Sequence, residues 1–500
     1  MIPERARALL DDVRPLADRF SADGARVYLV GGVVRDLFAP DGDPATPLRG
    51  EDDDIDLTTD AEPARIKRII APMADAVWTQ GERFGTIGCR IGGAVFEITT
   101  HRAEAYHPDS RKPEVAFSTE IDRDLSRRDF TINAMALEVT AADPVLIDPF
   151  DGLADLAAGV LRTPLDPEAS FSDDPLRMLR AARFIARFGL TPTRELTAAV
   201  HDGAERLSIV SAERIRDELC KLVVVPDPSA GLWFVHDTGL ADLFLPELPA
   251  MRLEQDPIHR HKDVLSHTIA VVAKSRNDLR VRLAALFHDV GKPRTRSIGG
   301  KGVSFHHHEV VGARMTRDRM RALRFSNEMV DEVTQLVYLH LRFHTYQMGW
   351  TDSAVRRFVR DAGDLLPELL SLTRADCTTR NRRKAEALER RIDDLEVRIG
   401  ELQEREELAS IRPDLDGRDV MEHLGLPPGR MVGEALAFLL EQRLEDGPLE
   451  RARAHELLDE WWAGRGPAGA TDERAGAAGP SAAGSGDAQR NDVTQRDRED

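Results

Sequence analysis

The sequence has few cysteines, few aromatic residues and no long apolar run. Its three cysteines, Cys89, Cys220 and Cys377, lie far apart, so neither a disulfide scaffold nor a zinc ribbon is expected and a reducing cytosol fits. No stretch of about 18 apolar residues is present, and no basic start followed by an apolar core opens the chain. We therefore expect a cytoplasmic protein without a membrane span or a recognisable secretion signal.

A surplus of basic charge is also missing. The formal net charge is -19 over 500 residues, which argues against a general nucleic-acid binder. If the protein handles RNA, its basic residues must be concentrated on one surface. The length exceeds what one hydrophobic core usually holds, so several domains are expected.

Hydrophobic periodicity separates an α/β part from a helical part. An amphipathic helix is predicted over residues 3–20, and Gly92-Gly93 is a hairpin signal. Strands are predicted at residues 27–30, 54–57, 86–91, 94–99 and 134–139. Helices follow from about residue 151, at 173–188, 211–224, 263–288, 308–323, 328–341, 352–361 and, as a long exposed helix, 381–408. From Gly464 onward the composition predicts a disordered tail.

A glycine pair and two aspartates dominate the first part of the chain. Gly31 and Gly32 follow an apolar run, allow close approach of the backbone to an anion, and are followed by Arg35, a donor for phosphate. Asp54 and Asp56 alternate with apolar residues, so both carboxylates project from one face of a strand. Adjacent carboxylates repel unless a cation lies between them, and oxygen ligands suit Mg²⁺ shared with phosphates. The pattern favours a metal-bound nucleoside triphosphate over a solvated acidic patch.

Two further segments fit the same chemistry. Glu97 lies on the strand 94–99 and could become a third carboxylate beside the aspartates, or be an ordinary surface acid. Arg127 and Arg128 precede an asparagine-containing turn, which is consistent with a triphosphate clamp. Taken alone, a pair of arginines is a weak signal, because exposed arginines are usually only solvated.

A later helix carries a row of arginines. Asp174 suits the N-cap and Pro175 the first helical position. Arg177, Arg180 and Arg183 then follow at steps of three, on one face. One interpretation is a basic stripe that faces RNA. The other is that Asp174 and Arg177 together hydrogen-bond the Watson–Crick edge of a base.

Four motifs in this order resemble one family. GGVVRD, DID, RRDFTINA and DDPLRMLRAARF are similar to those of class II tRNA nucleotidyltransferases that add CCA, a family that includes bacterial poly(A) polymerases and belongs to the polymerase-β-like superfamily. The resemblance implies an α+β multidomain fold, with a head of a small mixed sheet and helices followed by helical domains. The expected divisions are a head at 1–148, a helical neck at 149–250, an HD domain at 251–380, a helical C-terminal region at 381–463 and a disordered tail at 464–500.

The same resemblance assigns roles to residues. In such enzymes the strand aspartates, here Asp54 and Asp56, hold catalytic Mg²⁺ for a two-metal in-line displacement. The nucleotide contacts that it implies are Gly32, Arg35, Arg128, Asp174, Arg177, Arg180 and Arg183. Asp174 and Arg177 would select CTP and then ATP without a template. This chain has Asp173 where the family has glutamate, which affects a supporting residue and not the base-reading carboxylate.

Histidines cluster in the second half of the chain. A His-Asp doublet, His288-Asp289, offers nitrogen and oxygen donors suited to Mn²⁺, Ni²⁺, Fe or Mg²⁺. The order of histidines and aspartates resembles the HD phosphohydrolase domain. The ligands that this resemblance implies are His267, His288, Asp289, His308, His340 and Asp376, with His307 as an alternative to His308. An active hydrolase that trims cyclic or damaged RNA ends and an idle structural domain both remain open.

The predicted function is template-independent addition of C, C and A to tRNA 3′ ends from CTP and ATP. A poly(A) polymerase of the same family is the nearest alternative. Those enzymes tend to carry a doubly basic segment after the two aspartates, whereas the comparable residues 81–86 of this chain contain one acidic residue, Glu82, and one basic residue, Arg83. Addition of CC only or of A only also remains open. A metal-dependent HD phosphohydrolase with an inactive head, or an RNA-binding adaptor, is disfavoured by the intact Asp54 and Asp56 pair.

Overall fold

The computed structural model describes most of the chain in two compact units. The described residues are 3–39, 54–105, 114–253, 263–299, 302–343, 350–378, 382–406 and 411–465. One unit comprises residues 1–348 and 362–395, and the other comprises residues 349–361 and 396–500. Within the described ranges, no helix has both the length and the apolarity needed to cross a bilayer. The tail predicted from residue 464 lies almost entirely outside these ranges.

The strands belong to one large sheet and three small ones. They are β1 (Val27–Val30), β2 (Ile55–Thr59), β3 (Ala76–Trp78), β4 (Thr86–Ile91), β5 (Ala94–Thr100), β6 (Arg102–Ala105), β7 (Glu114–Phe117), β8 (Ala136–Glu138), β9 (Val145–Ile147), β10 (Val160–Leu161), β11 (Thr191–Pro192), β12 (Ser297–Gly299) and β13 (Gly302–Ser304). The large sheet has the order β3-β4-β5-β2-β1-β8-β9, and the pairs β6-β7, β10-β11 and β12-β13 form two-stranded sheets. In the large sheet only β2 and β5 run parallel. This seven-stranded sheet is therefore the mixed sheet expected for the head.

Helices make up most of the remainder. They are α1 (Arg7–Ala22), α2 (Gly32–Phe38), α3 (Pro63–Ile70), α4 (Ile121–Ser126), α5 (Gly152–Ala158), α6 (Pro167–Asp173), α7 (Leu176–Phe188), α8 (Arg194–Gly203), α9 (Ala212–Val223), α10 (Ser229–Asp237), α11 (Leu240–Phe244), α12 (Glu247–Ala250), α13 (Val264–Lys274), α14 (Leu279–Phe287), α15 (Lys292–Thr295), α16 (His308–Ala322), α17 (Asn327–Leu339), α18 (Asp352–Ala362), α19 (Leu366–Asp376), α20 (Arg382–Glu406), α21 (Gly417–Leu424), α22 (Arg430–Asp446) and α23 (Arg451–Ala463).

The core of the head lies around the central strands. All four residues of β1 are buried, and β1 pairs with β2 on one side and β8 on the other. Helix α1 buries an apolar stripe at helical spacing, which includes Leu9, Val13, Leu16 and Phe20, and packs against α3. The hairpin predicted at Gly92-Gly93 is confirmed, because both glycines have positive φ between the antiparallel strands β4 and β5.

Three predicted helices need correction. The single helix expected over 263–288 is wrong, because it breaks into α13 and α14, and the side chain of Asp278 caps α14 by accepting from the Val281 N–H. The helix expected from residue 173 begins at Leu176, after the separate helix α6. The long helix α20 is not exposed on all sides. It buries a stripe formed by Ile392, Leu395, Ile399 and Leu402.

The other unit has a small core of its own. Val420, Ala435, Leu439 and Leu458, from the three helices α21, α22 and α23, are all nearly inaccessible to solvent. Helix α21 begins with a capping box at Asp416, so two of its free backbone N–H groups find side-chain acceptors. This unit is helical, as the sequence predicted for the C-terminal region. The predicted limits of that region stay a prediction.

Candidate active site and metal centre

Three carboxylates meet on the head sheet. Asp54 immediately precedes β2, and Asp56 lies on β2 between Ile55 and Leu57, which are both 1% exposed. The parallel register of β2 and β5 places Asp56 opposite Glu97. The pKa of Asp56 is raised, because the effect of burial exceeds the opposing effect of nearby Arg128. The pKa of Glu97 is also raised, first by burial and then by the negative charges of Asp56 and Asp54. Carboxylates that repel one another in this way fit a divalent cation with oxygen ligands.

Gly31 lies beside both this acidic cluster and a basic side chain. Its φ is +77°, a conformation that favours glycine. A Cβ atom placed there would lie 3.6 Å from both Asp56 Oδ2 and Arg128 Nη1. The glycine therefore leaves room beside the carboxylate and the guanidinium. Gly32 begins α2, and its nearest side-chain neighbour is Arg35.

A buried aspartate that the sequence analysis missed holds the two arginines of the expected clamp. Asp124 is inaccessible to solvent and accepts hydrogen bonds from Arg127 Nη2 at 2.9 Å and Arg128 Nη2 at 3.2 Å. Burial raises its pKa, but Arg128 and Arg127 together hold that pKa down at about 2. The signal was present, because Asp124 precedes the two arginines by three and four residues, the spacing of neighbours on a helix.

This ion-pair cluster gives a stability prediction. In Asp124→Asn we expect the free energy of unfolding to fall by about 3 kcal/mol, because two largely buried guanidinium groups lose their counter-charge. In the wild type the folded pKa of about 2 lies below the ordinary 3.8, so the carboxylate stabilises the fold above about pH 4 and loses this effect as the pH falls toward about 2. Urea unfolding at neutral and acidic pH measures both effects. Asp122→Asn, an exposed carboxylate on the same helix, should change neither; unaltered stability of Asp124→Asn would contradict the prediction.

Arg35 is buried at the junction of the head and the following helices. Its guanidinium is hydrogen-bonded to Asn133 Oδ1 at 2.8 Å and to Asp36 Oδ1 at 2.7 Å. It also lies 4.3 Å from the ring centroid of Phe188 on α7. Burial lowers its pKa. The geometry shows Arg35 joining α2 to α7, and its contact with a nucleotide stays a prediction.

Two of the three arginines in the row on α7 are buried. Arg177 and Arg183 are 9% and 8% exposed, whereas the Arg180 side chain is 33% exposed, so the three do not form the RNA-facing basic stripe of the first interpretation. Arg177 donates to Ser170 Oγ at 2.8 Å and to the carbonyl of Arg127 at 2.5 Å. The remaining pairs are Arg180 with Asp129 Oδ2 at 2.5 Å and Arg183 with Glu218 Oε2 at 2.8 Å. Helix α7 is thus tied to the segment that carries the expected triphosphate clamp.

Asp174 sits where α6 ends and α7 begins. Pro175 is the N-cap of α7, one residue later than predicted, but Asp174 Oδ1 still accepts from the Leu176 N–H at 3.2 Å. Its other oxygen accepts from Arg214 Nη2 at 2.9 Å. Arg177 follows one turn later, with its N–H donating to the Asp174 carbonyl at 3.0 Å. Both residues are held in fixed positions, and their reading of a base stays a prediction.

The six expected HD ligands come together in two adjoining groups. Within each group the donor atoms lie within 4.8 Å of one another: His267, His288 and Asp376 form one, and Asp289, His308 and His340 form the other. The groups adjoin through Asp289, whose Oδ2 lies 3.2 Å from His288 Nε2. Of the two alternatives at positions 307 and 308, His308 belongs to the cluster, whereas the His307 side chain is 83% exposed.

Backbone contacts fix the orientation of three of these histidines. The Nδ1 atoms of His288, His308 and His340 lie 2.7, 2.7 and 2.6 Å from the carbonyl oxygens three residues earlier. A carbonyl only accepts, so in each of these rings Nδ1 carries a proton and Nε2 faces the cluster, where it is the atom that would bind a metal ion. Among the described residues, the buried Nε2 atoms of His308 and His340 have no hydrogen-bond partner. Burial lowers the pKa of His340 to about 3, so this ring stays neutral. The donor set fits one or two divalent metal ions.

Two further residues that support these sites were not found from the sequence. Thr378 Oγ1 lies 2.8 Å from His267 Nδ1 and so orients the fourth histidine ring. Its place two residues after Asp376 was a weak signal. Glu218 on α9 pairs with Arg183 across 35 positions, a separation from which no local pattern could have predicted the contact.

Comparison with known proteins agrees with this arrangement. Three family models match in chain order: "Poly A polymerase head domain" at residues 27–162, "Probable RNA and SrmB-binding site of polymerase A" at residues 189–251 and "HD domain" at residues 264–381. A solved structure of a Bacillus stearothermophilus CCA-adding enzyme in complex with CTP has the same fold, with a TM-score of 0.63 at 24% identity over 93% of this chain and 99% of that one.

Curated relatives extend the likeness. The chain is 36% identical over 381 residues to an A-adding tRNA nucleotidyltransferase of Deinococcus radiodurans, which covers 73% of this chain and 86% of that protein. It is 37% identical over 243 residues to a CCA-adding enzyme of Lactobacillus gasseri, but that match spans only 56% of the relative and 48% of this chain. The chain therefore belongs to the family of tRNA nucleotidyltransferases and poly(A) polymerases, as a nucleotidyltransferase that also carries an HD domain.

Proposed function

We propose that this protein adds nucleotides to tRNA 3′ ends without a template, completing C, C and A from CTP and ATP in the cytoplasm. The observation that carries the proposal is the cluster of Asp54, Asp56 and Glu97 beside Gly31 and Arg128. Three carboxylates that repel one another at one place in a sheet destabilise the fold unless a cation binds between them, so their presence favours an active metal site over an inactive head. The names of the relatives from Deinococcus and Lactobacillus support tRNA as the acceptor.

Each part of the head would have a separate task. Asp54 and Asp56 would hold Mg²⁺, which when bound activates the attacking hydroxyl and offsets charge on the triphosphate. Arg128 would add positive charge beside Asp56, where Gly31 leaves clearance for phosphate oxygens. Asp174 and Arg177 would hydrogen-bond the base. Because Arg177 also holds the Arg127 carbonyl, base reading and triphosphate binding would share one rigid support.

Addition of a terminal A alone is the second candidate. The relative named as A-adding matches across 86% of its length, whereas the Lactobacillus gasseri CCA-adding enzyme matches across 56% of its own. The longer match includes more than the head. The two candidates share the chemistry and differ only in which bases the site accepts.

For the HD domain we propose metal-dependent hydrolysis of phosphoesters at RNA ends. Its support is the set of six ligands with oriented histidines and unpartnered Nε2 atoms. Mn²⁺, Ni²⁺, Fe²⁺ and Mg²⁺ all accept mixed nitrogen and oxygen ligands, so the metal has to be identified by experiment.

One assay separates the candidates for the head. Purified protein is incubated with Mg²⁺, CTP and ATP, one of the two nucleotides labelled at a time, on two acceptors, a tRNA lacking CCA and the same tRNA ending in CC. We expect two C and one A on the first acceptor and one A on the second. Incorporation of A on the CC-ending acceptor alone would select the A-adding candidate, and long A tails would select a poly(A) polymerase. No incorporation on either acceptor would overturn the proposal.

A further inference from the structure

The segment between two of the HD ligands has an unusual charge. From residue 290 to residue 308 the chain has no acidic residue but contains Lys292, Arg294, Arg296 and Lys301, within a protein of net charge -19. We call the described residues 292–299 and 302–305, which comprise α15 and the paired strands β12 and β13, the basic arm; Lys301 lies outside the described residues. This stretch supplies the local concentration of positive charge that an acidic protein needs if it is to bind RNA.

Both ends of the basic arm are attached to the second ligand group. At one end, Lys292 Nζ donates to Asp289 Oδ2 at 2.7 Å. At the other end, the Phe305 carbonyl accepts from His308 Nδ1 at 2.7 Å, and Lys292 Nζ lies 5.7 Å from the Phe305 ring centroid. The contact at Gly291 is tight, because a Cβ there would lie 2.2 Å from the His308 carbonyl oxygen. The basic arm is therefore held against two residues of the candidate metal-binding cluster, Asp289 and His308.

The basic arm presents two of its cations to solvent, whereas Lys292 is turned toward Asp289. Arg294 and Arg296 are exposed, and in the part of the chain that the structure describes neither has a hydrogen-bond or ion-pair partner. Ile298, between them and the tip of the hairpin, is 71% exposed. Two free guanidinium groups and an apolar side chain form a surface suited to successive phosphates and sugars of a strand.

We propose that the basic arm binds the phosphate backbone of single-stranded RNA whose 3′ end enters the HD cluster. This inference rests on the proposed HD hydrolysis and specifies its substrate class as an oligonucleotide end, not a free mononucleotide. A mononucleotide offers only the phosphate at the metal ligands, so Arg294 and Arg296 would have nothing to bind. An acidic protein partner would use the cations but would not explain their attachment to a phosphoester-binding metal cluster.

The test compares two substrates and two double variants of the full-length protein loaded with Mn²⁺ or Ni²⁺. One substrate is a short RNA that ends in a 2′,3′-cyclic phosphate, and the other is 2′,3′-cyclic CMP. In R294E/R296E we expect kcat/KM for the RNA to fall roughly tenfold or more, with little change for cyclic CMP. The slope of log kcat/KM against log salt concentration for the RNA should become shallower by about 1.4, because two phosphate contacts are lost.

The matched control is R314E/R321E, which reverses the same number of charges at two exposed positions of α16. It should leave both substrates unaffected. Equal loss on both substrates in R294E/R296E would mean that the arm only supports the cluster, and unchanged RNA hydrolysis would mean that another partner binds it. Either result overturns the inference.

If the wild type hydrolyses neither substrate, the proposed HD hydrolysis is wrong, and RNA binding by the basic arm is then tested separately by crosslinking. RNA carrying 4-thiouridine two to four nucleotides before its 3′ end, the part expected to lie on the arm, is photo-crosslinked to the protein, and the labelled peptide is identified by mass spectrometry. Crosslinks within the basic arm that disappear in R294E/R296E would support RNA binding. Absence of crosslinks there would overturn it.

Discussion

Replacing Asp56 by asparagine will abolish nucleotidyl transfer, lowering kcat by at least about a thousandfold, or roughly 4 kcal/mol of transition-state stabilisation. Asparagine keeps the shape of the side chain but removes the charge that a divalent cation requires. Asp56 is the central member of the cluster, since it lies two residues after Asp54, which precedes β2, and pairs in register with Glu97 on β5.

The same substitution should not unfold the head. Burial and Asp54 already raise the pKa of Asp56, which means that the structure tolerates a neutral group at this position better than a charged one. The free energy of unfolding of Asp56→Asn should therefore equal or slightly exceed that of the wild type in metal-free buffer. This separates a catalytic role from a structural one, because a merely structural carboxylate would lose stability along with activity.

Transfer of labelled ATP to a CC-ending tRNA and urea unfolding measure the two effects. Glu138→Gln, which neutralises another carboxylate on the same sheet, is the matched control and should retain near wild-type activity. HD-site hydrolysis should also persist in Asp56→Asn. Retention of more than about a tenth of the transfer activity would contradict the assignment of Asp56 as a metal ligand.

Much of the head could be predicted because its signals are local. The alternation around Asp54 and Asp56 predicted which side chains leave the core, and the glycine pair predicted the turn before α2. The partnership of Asp56 with Glu97 was only one of two interpretations. It depends on β5 lying parallel to β2, and no local pattern specifies which strands become neighbours in a mixed sheet.

The arginines show where local reasoning failed. Steps of three correctly predicted that Arg177, Arg180 and Arg183 share a side of α7. Whether that side meets water or protein depends on what packs against it. The partners Asp129 and Glu218 come from other segments, so these contacts could not be derived from the spacing. Similarly, the choice between His307 and His308 required the backbone, because His307 has a positive φ and its side chain points to solvent.

The second large effect is expected at Asp289, which lies between the two HD ligand groups. Its Oδ2 is 3.6 Å from His267 Nε2 as well as near His288, and its Oδ1 is 3.4 Å from His308 Nε2. A carboxylate in this position can contribute one oxygen to each group. In Asp289→Asn we expect metal affinity to fall at least about a hundredfold, because a charged ligand shared by both groups is lost.

Thermal unfolding with and without added Mn²⁺ or Ni²⁺ measures this loss of metal affinity and requires no substrate. In an Asp56→Asn background, which removes the proposed head ligand, the protein should gain about 2.7 kcal/mol at a metal concentration one hundred times the dissociation constant of the HD site, and the further change Asp289→Asn should reduce this gain to about 0.4 kcal/mol or less. Metal content after dialysis gives an independent measure. His307→Ala, next to a ligand but exposed, should behave as the wild type. Because the head sheet holds its own carboxylates, nucleotidyl transfer should survive in Asp289→Asn; loss of both activities would show that the substitution disrupts the fold and not only the metal centre.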